Sequence, residues 1–167
     1  MAATAQISPE EYLRSSFEGP APEYLDGELV ERHLGDYSHG RAQCRLGALF
    51  EDLGKTLPLH AATELHLRIA PGRFRVADLA VFEGQEPSER IPSTPPLIAI
   101  EILSPDDRFQ EILDKLEEYR RWGVPHIWFV DPWQRKIYVY GDYGLQGVSA
   151  FSIPEHHVEI PAAKIWE

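Results

Sequence analysis

The stretch PPLIAIEILSPDD, Pro95 to Asp107, decides the fold: Leu97 to Leu103 has the composition of a strand buried on both faces, yet Glu101 stands inside it. Working outward, the same puzzle recurs upstream in RFRVADLAVF, Arg73 to Phe82, where Asp78 sits among Val76, Leu79 and Val81. An ionised carboxylate is costly to bury alone, so each acid must be paired, hydrogen-bonded or bound to a metal. One solution is a structural salt bridge to Arg68, Arg73 or Arg75. The other is a shared metal.

Downstream of Glu101, Asp107 is expected to cap a helix, with Gln110 three residues on, that runs to about Trp122 before Gly123 and Pro125 stop it. Glu101 lies three strand residues before Ser104, roughly 10 Å. Lys115 lies eight helical residues beyond Asp107, roughly 12 Å. If the chain reverses through Pro105 and Asp106, the two side chains arrive at the same level. Lys115 also borders the apolar face of Ile112, Leu116 and Tyr119, so its stem can lie on the sheet while the ammonium reaches inward. Asp78 and Glu101 are hard oxygen ligands suited to Mg²⁺, with Mn²⁺ as a substitute. Such a metal would polarise a phosphodiester and acidify a water, and the lysine would position that water or stabilise developing charge.

The remaining chain predicts a mixed β-sheet flanked by helices, an α/β (α+β) architecture in one domain over residues 1–167. Ser8, Pro9 and Glu11 open a short helix, and Asp26-Gly27 marks a tight hairpin. Ala42, Leu46, Leu49, Phe50 and Leu53 give a long amphipathic helix from Ser38 to Leu53. Leu65, Leu67 and Ile69 alternate as a half-buried strand that turns at Pro71-Gly72, and Ser88 to Pro96 is a surface loop. HIWFV and KIYVY are two further strands, whereas the tail with Pro154, His156, His157 and Pro161 gives no pattern.

The formal net charge of -11 counts against tight non-specific binding of nucleic acid, unless divalent cations or a local arginine patch offset it. No apolar run approaches the roughly 20 residues of a membrane span. The opening MAATAQISPEE lacks a basic and an apolar segment, so no signal peptide is expected, and the single Cys44 fits a reducing, cytoplasmic setting as a packed thiol. His39 is expected to be a capping or surface residue, with a contact to a phosphate or metal site as the alternative, and Trp122, Trp128 and Trp133 to anchor the core or a subunit contact, with base stacking as the alternative. His156 and His157 lack the further ligands of a zinc site.

The runs ADLAVF, PPLIAIEILSPDD and ILDKLEEYRRWGVPHIWFVDPWQRKIYVY, with EYLDGELVER and His39 upstream, resemble the Uma family of "putative restriction endonucleases", a branch of the PD-(D/E)XK nuclease superfamily. The likeness covers about residues 23–140. It implies a restriction-endonuclease-like core, with Asp78 as the motif aspartate and Glu101 as the motif acid. Ala77 replaces the usual proline before the aspartate, and Leu103 occupies the usual lysine position. In this family that lysine is shifted to the following helix, which corresponds to Lys115. The resemblance also implies a role for Glu28 as a further metal ligand or a base.

The expectation is therefore a Mg²⁺-dependent endonuclease, with DNA as the first candidate partner and a homodimer if both strands of a duplex are cut. Two rivals stand beside it: a nuclease-fold module that binds or assembles without chemistry, and a metal-dependent hydrolase of another substrate.

Overall fold

The computed structural model describes residues 6–167; the first five residues of the stretch read for a signal peptide lie outside them. In chain order the elements are α1 (Pro9–Arg14), β1 (Glu23–Leu25), β2 (Glu28–Val30), α2 (Tyr37–Gly54), β3 (Leu59–Ala70), β4 (Arg73–Glu83), β5 (Ile98–Ile102), α3 (Phe109–Trp122), β6 (His126–Asp131), β7 (Lys136–Gly141), β8 (Gly144–Val148), β9 (Ala150–Ile153), β10 (Val158–Pro161) and α4 (Ala163–Trp166). The Ser8 capping box starts α1, with Ser8 and Glu11 bonding reciprocally. Asp26 and Gly27 both have positive φ, as a two-residue hairpin demands.

One sheet runs β2-β1-β4-β5-β6-β7-β8, with β3 paired along the other edge of β4. β5 and β6 are parallel, joined by α3 as the crossover, and the other pairings are antiparallel. Two apolar layers cover the faces. Ala42, Leu46 and Phe50 of α2 pack with Ile100, Trp128 and Val130, and Ile112, Leu116 and Tyr119 of α3 pack with Ala99, Ile127 and Phe129.

Three expectations are corrected, and the tail, which showed no pattern in the sequence, is placed. Asp107 does not cap α3: Arg108 occupies the cap position without a side-chain bond, because the Asp107 carboxylate accepts from Ser104 N instead (2.7 Å). The strand expected at Leu65 to Ile69 extends over all of β3, since pairing with β4 outweighs its weak apolar pattern. The tail is ordered: β9 and β10 form a hairpin, and Phe151 stacks on Trp128 with centroids 4.1 Å apart. Cys44 is exposed on the outer face of α2, not packed.

Candidate metal and catalytic centre

β4 is served unequally by its neighbours. β3 pairs along its length, while the opposite edge meets β1 at Arg73 and Phe74 and β5 only from Leu79 onward. Residues 75–78 therefore face a notch in the sheet. Backbone groups there need partners, and side chains supply them. Val76 N donates to Glu23 Oε1 (3.0 Å), and Val76 O accepts from Lys115 Nζ (2.7 Å).

The last β4–β5 pair is Leu79 with Ile100, so one register step on, Asp78 and Glu101 stand opposite each other at the edge of the notch. Instead of continuing the ladder, Asp78 Oδ2 accepts from Ile102 N at 2.7 Å. On the β3 side the ladder also lapses. Thr63 pairs with Leu79 and Leu65 with Ala77, but Glu64 between them adopts φ 50 and is unpaired with Asp78. A non-glycine residue in that conformation stores strain, a recurrent feature of functional sites. Gln43 of α2 spans the gap, its amide donating to both Asp78 O and Glu64 Oε1 at 2.8 Å.

The two sequence-predicted acids and Lys115 meet here. Lys115 Nζ lies 2.8 Å from Glu101 Oε2 and 2.9 Å from Glu23 Oε1, and Tyr119 donates its hydroxyl to Glu101 Oε1 at 2.8 Å. Neither acid takes Arg68, Arg73 or Arg75 as a partner. Asp78 instead has Arg32 at 3.2 Å and His39 Nε2 at 3.4 Å. Arg75 bonds Glu23 and Glu118, tying β1 to α3 through β4.

Sequence reasoning missed Glu23 and Arg32, and it ranked a place for His39 in the site below a capping or surface role. His39 is 7 % exposed, neither a cap nor a surface residue, because the first turn of α2 points it at Asp78. The backbone passes so close to its ring that a Cβ on Gly35 would lie 2.5 Å from His39 Nδ1. Glu28 is exposed on the edge strand β2 and does not line the cleft; the buried acid of the hairpin is Glu23. The signal that separates them is strand order, since β1 adjoins β4 and β2 does not.

Burial pushes both central acids towards neutrality, and their neighbours divide them. His39 and Lys115 overcome burial at Asp78 and hold it below the ordinary carboxylate range. At Glu101 burial wins over the pull of Lys115, and the Asp78 carboxylate adds to it, so the group is pushed up to about 7. Burial opposes the charge of Lys115, but Glu101, Glu23 and Asp78 raise its pKa above the usual value.

All of this lies in a cleft of about 610 Å³ whose lining carries two carboxylates for every lysine or arginine. Asp78 and Glu101 supply oxygen donors only, the set a hard divalent cation prefers. Among the described residues no group of three or more His, Cys, Asp or Glu is arranged to hold a metal. A cation here would therefore complete its shell with water and substrate, as Mg²⁺ commonly does.

A mixed sheet flanked by helices, with α3 as a parallel crossover, gives the molecule a nuclease-like fold. The chain belongs to the Uma2 family, described as "Putative restriction endonuclease", whose profile matches residues 9–156. It is similar to the crystal structure of a "putative nuclease belonging to DUF820" from Anabaena variabilis ATCC 29413, with a TM-score of 0.82 at 20% identity over 96% of this chain and 97% of that one. No curated protein matches the chain. The family description supports a nuclease, and the structural likeness establishes the fold. No helix among the described residues is long and apolar enough to cross a membrane.

Proposed function

We propose that the protein is a divalent-metal-dependent endonuclease that hydrolyses phosphodiester bonds, with Asp78 and Glu101 as the metal ligands and Lys115 as the charge stabiliser. The observation that carries this reading is the meeting of Asp78, Glu101 and Lys115 in the β4 notch, with Lys115 Nζ 2.8 Å from Glu101. Mg²⁺ or Mn²⁺, when bound, supplies Lewis-acid polarisation of the phosphate and a more acidic attacking water. The chain supplies the rest. Arg32, His39 and Ile102 N fix the Asp78 carboxylate, Tyr119 fixes Glu101, and Lys115 offers a fixed positive charge to the oxygens that gain charge in the transition state. DNA is the first substrate to test, and a homodimer belongs to the reading only if a duplex is cut on both strands.

The excess of carboxylates in the cleft favours a second reading, the same metal centre acting on a less charged substrate. Incubation of supercoiled plasmid with Mg²⁺, Mn²⁺ or EDTA, beside Glu101→Ala prepared identically, separates the two. Nicking that needs metal and disappears in the variant is expected. Absence of cleavage by the unmodified protein would discard plasmid DNA as a substrate and move the account to the second reading or to a binding module.

A further inference from the structure

Among the described residues, five large hydrophobic side chains stand exposed, and four of them belong to segments around the mouth of the cleft. Leu34, 72 % exposed, lines it directly. Tyr37 and Phe109 each follow a lining residue, Asp36 and Arg108. Trp133, 42 % exposed, is tied to Asp36 by its indole N–H, which donates to Asp36 Oδ2 at 3.0 Å. The fifth, Tyr143, lies in the turn between β7 and β8.

The placement of Trp133 follows from the fold. β5 and β6 are parallel, so the turn after β6 opens at the same end as Ser104, which lines the cleft. Buried Asp131 locks that turn by accepting from Trp133 N (3.0 Å) and Gln134 N (2.9 Å). The backbone and the indole edge of Trp133 are thus both fixed while the ring remains exposed. Ordering such a ring on binding costs little, because its freedom is already spent.

We propose that Trp133 and Leu34 form a stacking lip for an unpaired nucleobase, so that the substrate is single-stranded or locally unpaired nucleic acid rather than regular duplex. This rests on the nuclease reading and narrows it. A duplex presents about twice the phosphate charge per length that one strand does, so the acidic excess of this chain, net charge -11 with an acid-rich cleft, opposes duplex more than single strand. Stacking on an aromatic ring needs no net charge and accepts any base. Arg108, also on the cleft lining and with an 80% exposed side chain, is paired only with the exposed Glu111 at 3.5 Å and can turn from it to a single phosphate. A second copy of the chain is the alternative occupant of these side chains.

The test is fluorescence anisotropy of a labelled oligonucleotide, single-stranded and as the matched duplex, with Ca²⁺ in place of Mg²⁺, for the unmodified protein, Trp133→Ala, Trp133→Phe and Leu34→Ala. Melting curves establish that each variant folds. The unmodified protein should prefer the single strand. Trp133→Ala should lose about tenfold on the single strand and little on the duplex, within the range of one base stack. Trp133→Phe, which keeps a ring but not the N–H, should recover most of that loss. Equal affinity of Trp133→Ala, or preference for duplex, overturns the lip while metal-dependent plasmid nicking leaves the nuclease reading intact. Binding of neither form by the unmodified protein, together with no nicking, overturns both. A dimer that becomes monomeric in Trp133→Ala assigns the patch to self-association and overturns the lip.

Discussion

At Glu23, burial alone would push the carboxyl up, but Lys115 and Arg75 outweigh it and hold the group down at about 2. The folded value is thus below the ordinary glutamate value of 4.5, so the stabilisation is fully present above that pH and is lost as the pH falls from there towards 2. Urea midpoints measured between pH 5.5 and pH 2.5 should fall more steeply for the unmodified protein than for Glu23→Gln. Parallel slopes would remove Glu23 from the ion network that holds Lys115. Asp78, Glu101 and Lys115 were legible in the sequence because each violates its local pattern: two acids in apolar strands, one lysine beside an apolar helix face. Glu23 and Arg32 were not, and His39 stood only as a second-ranked alternative. Each sits in a stretch where a charge or an imidazole is ordinary, and only the β1–β4 pairing, the segment from β2 into α2 and the first turn of α2 bring them into the site.

Among the elements, those with a clean period were readable and those held by partners were not. α2 and α3 announced themselves by apolar spacing, and α3 ends where expected, at Gly123 with φ 102. Its start was misplaced by one residue, because Asp107 serves the loop at Ser104 rather than the helix. The tail was unreadable for a different reason: β9 and β10 are four residues each, too short for a period to register. Their packing is nonetheless central. Phe151 lies flat on Trp128, 2° from parallel, and both are buried beside Phe50 of α2. Phe151→Ala should therefore cost roughly 3–5 kcal/mol, measured by urea denaturation. A loss below about 1 kcal/mol, the size expected of a peripheral contact, would show the hairpin to be an appendage of the core.

For the whole molecule, the sheet is laid out so that the edge of β4 away from β3 lacks a strand partner at residues 75–78, between β1 and β5. Glu23, Lys115, Asp78 and Gln43 satisfy the backbone of this region in place of a ladder. The sheet and its flanking helices could be read from the sequence, but not the notch, which depends on where two short pairings stop. Nor does the net charge of -11 locate charge within the molecule, and the cleft turns out to share the acidic excess. That excess makes a cation the natural complement of the site, and the account stands on Asp78 and Glu101 binding it. Calorimetric titration of Mn²⁺ into the unmodified protein, Asp78→Ala and Glu101→Ala tests this most directly. The account predicts saturable binding by the unmodified protein that both variants lose; no binding by any of them, or binding unchanged in either variant, would contradict it.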